Sequence, residues 1–264
     1  SINNLKGKLS DFHTNDVVIK LLKSNSSKGV FYSRDRSETF AKVMALIKEY
    51  RLEPERYPQI EERVIGDGWG SSFLFFNGVE IASFTHRRLR EKIQTGGTST
   101  LRVQAHNKQL EEYARKILTK LGWNGFAMCE FKVCPETNRI WFIEINPRLW
   151  GSLPLSIDAG VEFPHYAVLC GLGKSCEAMA EAKNAKIKEG WCNRWLLGDL
   201  TSLLKILVHF DLKALRSHLS ERKANATDDW HLDDPFVFFG ELLRYVITAV
   251  RHRSFNASRR GMLK

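Results

Sequence analysis

A chain of 264 residues with an apolar fraction of 43% is long enough for one large domain or two small ones, and too apolar for global disorder. Lys and Arg number 40 against 30 Asp and Glu, and the net charge of +10 favours nucleotides, acidic substrates, nucleic acid or a membrane surface as partners, unless it is spread over a solvated surface. No uncharged apolar run approaches the ~18 residues a membrane span needs, and neither an RNA-reading aromatic motif nor a paired-cysteine zinc motif occurs. The five cysteines, Cys129, Cys134, Cys170, Cys176 and Cys192, are odd in number and irregularly spaced, which argues for reduced thiols and a cytoplasmic setting. No signal peptide is read, and the polar opening at Ser1 without an initiator Met reads as a fragment or processed chain that has lost an upstream domain.

Asp16 to Lys20 predicts a short buried strand, Ser24 to Gly29 a polar loop, and Val30 to Tyr32 a second strand. Ser37 precedes an apolar-periodic run, Phe40 to Ile47, that predicts a helix ending near Tyr50. Pro58 to Ile65 reads as a strand closed by Gly66-Asp-Gly68. Ser71 to Phe76 and Val79 to His86 flank Asn77-Gly78, a strong hairpin signal. The polar run Arg87 to Arg102, with Thr95-Gly-Gly-Thr-Ser-Thr100, reads as a mobile loop. Gln109 to Leu121 has helical spacing, and Gly125 to Val133 and Arg139 to Ile145 read as strands about a Pro135-Glu-Thr-Asn138 turn. Asn146 to Ser152 reads as irregular and Pro164 to Gly171 as helix. Glu177 to Glu189 reads as a polar connection, and Leu196 to His209, Leu212 to Leu219 and Phe236 to Val250 as helices. No internal repeat or low-complexity tract appears.

The passage that carries chemistry is Met128-Cys-Glu-Phe-Lys-Val133 with Trp141-Phe-Ile-Glu-Ile-Asn-Pro-Arg148. A hairpin centred near Thr137 sets Glu130 opposite Glu144. Strand side chains alternate, so Asn146 shares the face of Glu144, as does Arg148 if the chain stays extended, while Phe131, Ile143 and Ile145 point into a core. Like charges directly opposite in a sheet repel. The pattern makes sense with a cation between them, and hard oxygen ligands of this kind suit magnesium shared with phosphate. Arg148 is then placed for a charge-assisted bond to a phosphate oxygen. The plainer alternative is the solvated face of an ordinary hairpin.

Glu144-Ile-Asn-Pro-Arg148 resembles the terminal metal motif of the ATP-grasp superfamily, with Glu130 where that family keeps its first metal acid. The ordered series His86-Arg-Arg-Leu-Arg-Glu91, Thr95 to Thr100, Gly122-Trp-Asn-Gly125, Trp150-Gly-Ser-Leu153 and Arg194 to Asp199 resembles a branch of uncharacterised bacterial carbamoyl-phosphate-synthase-like ATP-grasp proteins. The resemblance implies an α+β fold in which two subdomains clasp ATP. It divides the chain into residues 1–66, 67–175 with the metal site, and a helical extension at 176–264, with the family's preceding domain absent. It implies ATP and magnesium, or manganese, as cofactors. By position, Lys20 matches the lysine at the nucleotide phosphates, and Ser26-Ser-Lys-Gly29, with Ser27, Lys28 and Gly29, matches the phosphate-covering loop. Leu21 stands where the family has a proline, and Gly29 is the loop's one glycine. Glu61 to Gly66 matches the adenine-reading hinge. There the carbonyl of Glu62 and the amide of Val64 would pair with the base, beside Glu61, and Asp67 is the nearest acid for the ribose. For Glu62 a salt-bridged strand position is the alternative to a side-chain role. Gln94 lies in a loop that flanks phosphates or an acyl group in relatives.

The implied reaction is attack of a small-molecule carboxylate on the γ-phosphate, then capture of the acyl-phosphate by an amine or similar nucleophile. Magnesium, Lys20, Arg148 and Arg88 would supply the charge neutralisation. Arg88 and Arg90 are read either as anion binders or as solvated loop cations. His86 is read as structural, His165 as a satisfied core residue, and Cys129 and the loop serines have no histidine partner for nucleophilic catalysis. The competing readings are a nucleotide-binding module without catalysis, or dependent on another domain, and a basic nucleic-acid binder. No transmembrane segment is read. Phe236 to Val250 reads either as a helix packed on the core or on a second subunit, giving a homo-oligomer, or as an interfacial helix on an anionic membrane.

Overall fold

The computed structural model describes residues 7, 9, 11–23, 29–91, 98–208, 210–220 and 223–251. The predicted phosphate loop at Ser27 and Lys28, and Gln94, fall outside the described residues. Two units form, residues 1–64 with 244–264 and residues 65–243.

In the first unit a three-stranded antiparallel sheet of β1 (Val17–Lys20), β2 (Val30–Ser33) and β3 (Gln59–Glu62) has β1 at its centre. Val17 and Ile19 alternate inward, and Ile19, Leu21, Val43 and Leu46 make a core with helix α1 (Arg36–Tyr50). The helix starts at Asp35 rather than Ser37. The Asp35 carboxylate accepts from the backbone amides of Ser37 (2.8 Å) and Glu38 (3.0 Å), which satisfies two of the donors a helix start leaves open.

The second unit is built on a seven-stranded mixed sheet in the order β10-β9-β6-β5-β4-β7-β8. Its strands are β4 (Asp67–Phe76), β5 (Val79–Glu91), β6 (Ser99–Gln104), β7 (Gly125–Val133), β8 (Ile140–Asn146), β9 (Cys192–Arg194) and β10 (Ala226–Thr227). Its helices are α2 (Lys108–Lys120), α3 (Leu153–Asp158), α4 (Phe163–Gly171), α5 (Ser175–Asn184), α6 (Leu196–Val208) and α7 (Leu212–Ser220). Helix α8 (Phe236–Arg251) crosses the boundary between the units.

One face of this sheet carries Phe73, Phe75, Ala127, Cys129, Phe131 and Val133, covered by Leu110, Ala114 and Leu118 of α2. These helix residues are four apart and form a single stripe. The opposite face is divided. Its lower part, Leu74, Ala82, Phe84 and Met128, is covered by Leu155, Phe163, Tyr166 and Ala178 of α3 to α5. Its upper part carries polar side chains, and among the described residues no apolar cluster covers it. The alternation of strand side chains therefore places a packed core directly beneath a polar shelf.

Three expectations fail for identifiable reasons. Gly66-Asp-Gly68 does not close a strand, because β4 begins at Asp67 and runs through both Gly68 and Gly70. Arg87 to Arg102 is not one loop, because β5 continues to Glu91 and β6 resumes at Ser99; their charged side chains sit in buried ion pairs, which a solvation argument from sequence cannot see. Glu177 to Glu189 is not merely a connection. Most of α5 lies within it, and Ala178 is fully buried in the core.

Leu118 is fully buried between α2 and the sheet. Leu118→Ala is expected to cost about 2–5 kcal/mol, read as a lower urea midpoint at unchanged m-value.

Candidate functional site

The β7–β8 hairpin sets the site. Its turn fixes Val133 opposite Ile140, Lys132 opposite Trp141 and Phe131 opposite Phe142. A bulge then intervenes, and Glu130 lies opposite Glu144 and Met128 opposite Asn146. The pairing of the two glutamates agrees with expectation, while that of their neighbours does not. Phe142, not Ile143, faces Phe131, with ring centroids 5.6 Å apart, and Ile143 is the extra residue of the bulge.

Asn146 joins the two acids. Its Nδ2 donates to Glu130 Oε1 at 2.9 Å and to Glu144 Oε1 at 3.3 Å, and its Oδ1 accepts from Arg148 Nη2 at 3.2 Å. Arg148 also donates to the Leu149 carbonyl at 3.0 Å. A second cation arrives from two strands away. Arg88 on β5 reaches across β4, and its Nη2 lies 2.7 Å from Glu130 Oε1. Its Nη1 is 3.5 Å from Glu91 Oε1, and Lys132 Nζ is 3.7 Å from the same oxygen.

That reach depends on two glycines. Gly70 lies between His86 and Glu130 in the ladder, and a Cβ there would stand 2.4 Å from His86 Cε1. At Gly68 a Cβ would stand 2.8 Å from Glu91 Oε1 and 2.9 Å from Arg88 Cδ. The alternate glycines Gly68-Trp-Gly70 thus clear a lane across β4 along which β5 side chains lie flat toward β7. An isolated glycine in a strand pattern signals such a close approach. Gly68 and Gly70 carry that signal in the sequence, which the reading of Gly66-Asp-Gly68 as a strand end leaves unused.

Burial shapes the electrostatics. Desolvation alone would pull the Arg88 guanidinium down, but Glu130 and Glu91 outweigh it and hold the group above its ordinary value. His86 is 1% exposed, and burial, reinforced by Arg88 and Arg102, keeps its imidazole neutral well below the usual histidine range. Its Nε2 is 3.2 Å from Ser152 Oγ, and its Nδ1 has no hydrogen-bond partner among the described residues. Arg102, beside Arg88 in the ladder, is also 1% exposed. Burial and then Arg88 push it down to about 10, and it donates to Ser99 O at 2.9 Å and to Asp228. Burial pushes the Cys129 thiol up to about 12, which leaves it inert.

Arg90 is not a free anion binder. It is held by both oxygens of Asp199 and by the His218 carbonyl at 2.7 Å, so its role is to tie β5 to α6 and α7. His165 is not a core residue. It is exposed on α4 and pairs with Glu181 at 2.8 Å. Asp67 lies at the start of β4, 3.6 Å from Arg87. In the first unit, Lys20 Nζ is 2.6 Å from Glu61 Oε2, a diagonal cross-strand pair. Glu62 Oε1 accepts from the His13 amide at 2.8 Å, and the Gly29 carbonyl accepts from the Leu21 amide at 2.8 Å. Val64 ends this unit, two residues beyond β3.

Among the described residues no cluster of three or more His, Cys, Asp or Glu could hold a metal unaided. Glu130, Glu144 and Asn146 offer two carboxylates and an amide oxygen on one face. The Asn146 amide nitrogen, hydrogen-bonded to both acids, stands where positive charge is wanted. A half-turn of that amide would exchange its oxygen and nitrogen. Such an incomplete set of hard oxygens fits magnesium, which keeps waters and takes phosphate oxygens beside one or two carboxylates.

A family model described as "ATP-grasp in the biosynthetic pathway with Ter operon" matches residues 78–191, which include the whole carboxylate hairpin. Over these residues the chain is similar to the ATP-grasp superfamily. Its ATP-grasp fold is similar to a biotin carboxylase–β-γ-ATP complex from Campylobacter jejuni, with a TM-score of 0.54 at 13% identity over 69% of this chain and 42% of that one. It is also similar to the biotin carboxylase domain of Hydrogenobacter thermophilus 2-oxoglutarate carboxylase, in complex with MgADP, ADP and bicarbonate (TM-score 0.53, 14% identity, 66% of this chain and 40% of that one). Acetyl-CoA carboxylase 2 of Oryza sativa subsp. japonica is 33% identical over 88 residues, and this chain spans 4% of its length. No helix among the described residues is long and apolar enough to cross a membrane.

Gly70→Ala is expected to displace the His86 ring, with Arg88 beyond it, and to cost about 1–3 kcal/mol, measured by thermal or urea unfolding. A stability equal to wild type would show that β4 has no closed lane.

Proposed function

We propose that this protein is an ATP- and magnesium-dependent ligase that activates a small-molecule carboxylate as an acyl-phosphate for capture by an amine-type nucleophile. The observation that carries the reading is the opposed pair Glu130 and Glu144, bridged by Asn146 and flanked by Arg88 and Arg148. The family-model match supports it, as do the two similar biotin carboxylases, one in complex with β-γ-ATP and the other with MgADP.

Glu130, Glu144 and Asn146 would hold magnesium, with manganese as a substitute. Bound there, the metal would neutralise phosphate oxygens during in-line transfer. Arg148, exposed beside this set, is suited to a phosphate or substrate carboxylate by its forked donors. Arg88 is already committed to Glu130 and Glu91. Its first task is to fix the Glu130 carboxylate in place, and its second is to offer positive charge to an anionic group that arrives at the shelf. Buried, neutral His86 anchors Ser152 and is not a base at neutral pH. Cys129 is inert and the Ser152–His86 contact is buried, so transfer would run directly between substrates, which needs positioning and charge neutralisation rather than a covalent enzyme intermediate.

In the first unit Lys20 would contact the nucleotide phosphates and release Glu61 as it does so. The backbone of Glu62 and Val64 would read adenine, Asp67 would meet the ribose, and Ser27, Lys28, Gly29 and Gln94 would line the phosphates. These assignments rest on motif position.

Glu144→Ala is expected to abolish magnesium-dependent ATP binding in calorimetry while the melting temperature holds or rises, since the substitution removes one of two facing charges. Unchanged binding would sink the metal assignment. The reaction itself is tested by phosphate release across a panel of carboxylates, each with and without amines. ATP binding with no carboxylate-dependent release in any pairing would favour a module that binds without catalysis.

Lys20→Ala is expected to weaken MgATP binding roughly ten- to hundredfold, the loss of one charge-assisted contact. Equal affinities for the variant and the wild-type chain would remove Lys20 from the site.

A further inference from the structure

Helix α8 has its polarity inverted. Phe236, Phe239, Leu243, Val246, Ile247 and Val250 recur at helical spacing along one stripe, and every one of them is exposed: Phe236 80%, Leu243 59%, Val250 72%. The half-buried positions Phe238, Glu241 and Tyr245, also spaced as one face, lie on the other side. Trp230 lies edge-on to both Phe238 (5.4 Å) and Phe239 (6.2 Å) at the start of the helix. The helix thus buries its mixed face and presents its apolar face to water, which is unfavourable in proportion to the area left exposed. In the second unit α6 repeats the pattern, with Leu200, Leu204 and Leu207 exposed along one stripe.

The charge around α8 says what covers it. Arg244 and Arg251 are exposed seven residues apart, each next to a stripe residue, so both lie along one edge of the stripe. From Phe236 to Lys264 the sequence holds Arg244, Arg251, Arg253, Arg259, Arg260 and Lys264 against Glu241 alone. Six bases less one acid give +5, half of the chain's +10. Two copies meeting about a two-fold axis would bring this basic edge near its own counterpart. A surface of anionic lipid accepts both features together, the apolar stripe at the acyl boundary and the arginines among the head groups.

We infer that α8 is a peripheral membrane anchor that lays its Phe236–Val250 stripe into an anionic lipid surface. The inference is independent of the ligase reading and goes beyond it.

The test is flotation of the full chain with two vesicle types, phosphatidylcholine alone and phosphatidylcholine mixed equally with phosphatidylglycerol. The expected result is flotation on the mixed vesicles, weak flotation on the neutral ones, and release by high salt. The pair Ile247→Glu with Val250→Glu is expected to lose flotation by at least tenfold while the melting temperature stays at the wild-type value, because both side chains are exposed. Phe236→Ser, at the other end of the stripe, replaces that pair if it melts early. Equal flotation on both vesicle types, flotation that survives these substitutions, or no flotation of the folded chain would each overturn the proposal. A soluble dimer that these substitutions dissociate, without flotation, would assign the stripe to a second copy.

Discussion

Two carboxylates face each other across a strand pair, and that repulsion organises the second unit. Left alone, Glu130 and Glu144 would push their strands apart. The protein answers with donors rather than with distance. The Asn146 amide bridges both acids and Arg88 is brought in from two strands away. The bonds to Glu130 are charge-assisted, and Glu130 is largely shielded from water, so they are stronger than surface ion pairs. What remains is a balanced set of acids and bases on one face of the sheet.

The rest of the sheet serves that arrangement. An arginine on β5 reaches β7 only if the strand between offers no side chain, which accounts for glycine at positions 68 and 70. A strand with two glycines gains little from its own packing there. It is held instead by neighbours on both sides and by the aromatic residues that follow, Phe73 and Phe75 on the α2 face. The same alternation that points Phe131 and Cys129 into the core points Glu130 onto the shelf. Core and site are therefore a single pattern seen from its two sides, and a one-residue slip in β7 would ruin both at once.

Much of this was legible in the residues. The Glu-x-Asn-Pro-Arg run, the alternation of β7 and the Asn77-Gly78 turn placed the hairpins and the facing acids, because strand periodicity is a local property. The errors were non-local. Arg87 to Arg102 reads as solvated because it is charged, yet Arg90 and Arg102 are buried against Asp199 and Asp228, more than a hundred residues on. Asp229 likewise caps the start of α6 by accepting from the amides of Leu196 and Leu197, across a separation no sequence window covers. The hairpin bulge was illegible for a different reason. Symmetry about Thr137 pairs Glu130 with Glu144 directly, and nothing in the residues tells that register from the bulged one that reaches the same pair.

That bulge gives the hairpin two independent halves. Between Val133 and Phe131 the pairing is dictated by the turn at Pro135 to Asn138, where Asn138 takes a left-handed φ of 54°. Below Ile143 it is dictated by β4 and the core. The extra residue acts as a slip joint between the two. Loss of one residue from the exposed tip can be absorbed by drawing Ile143 into regular pairing, with Glu130 and Glu144 left in place. The tip is then free to drift in length and composition over evolutionary time, and to host an inserted loop, while the acids beneath it stay fixed.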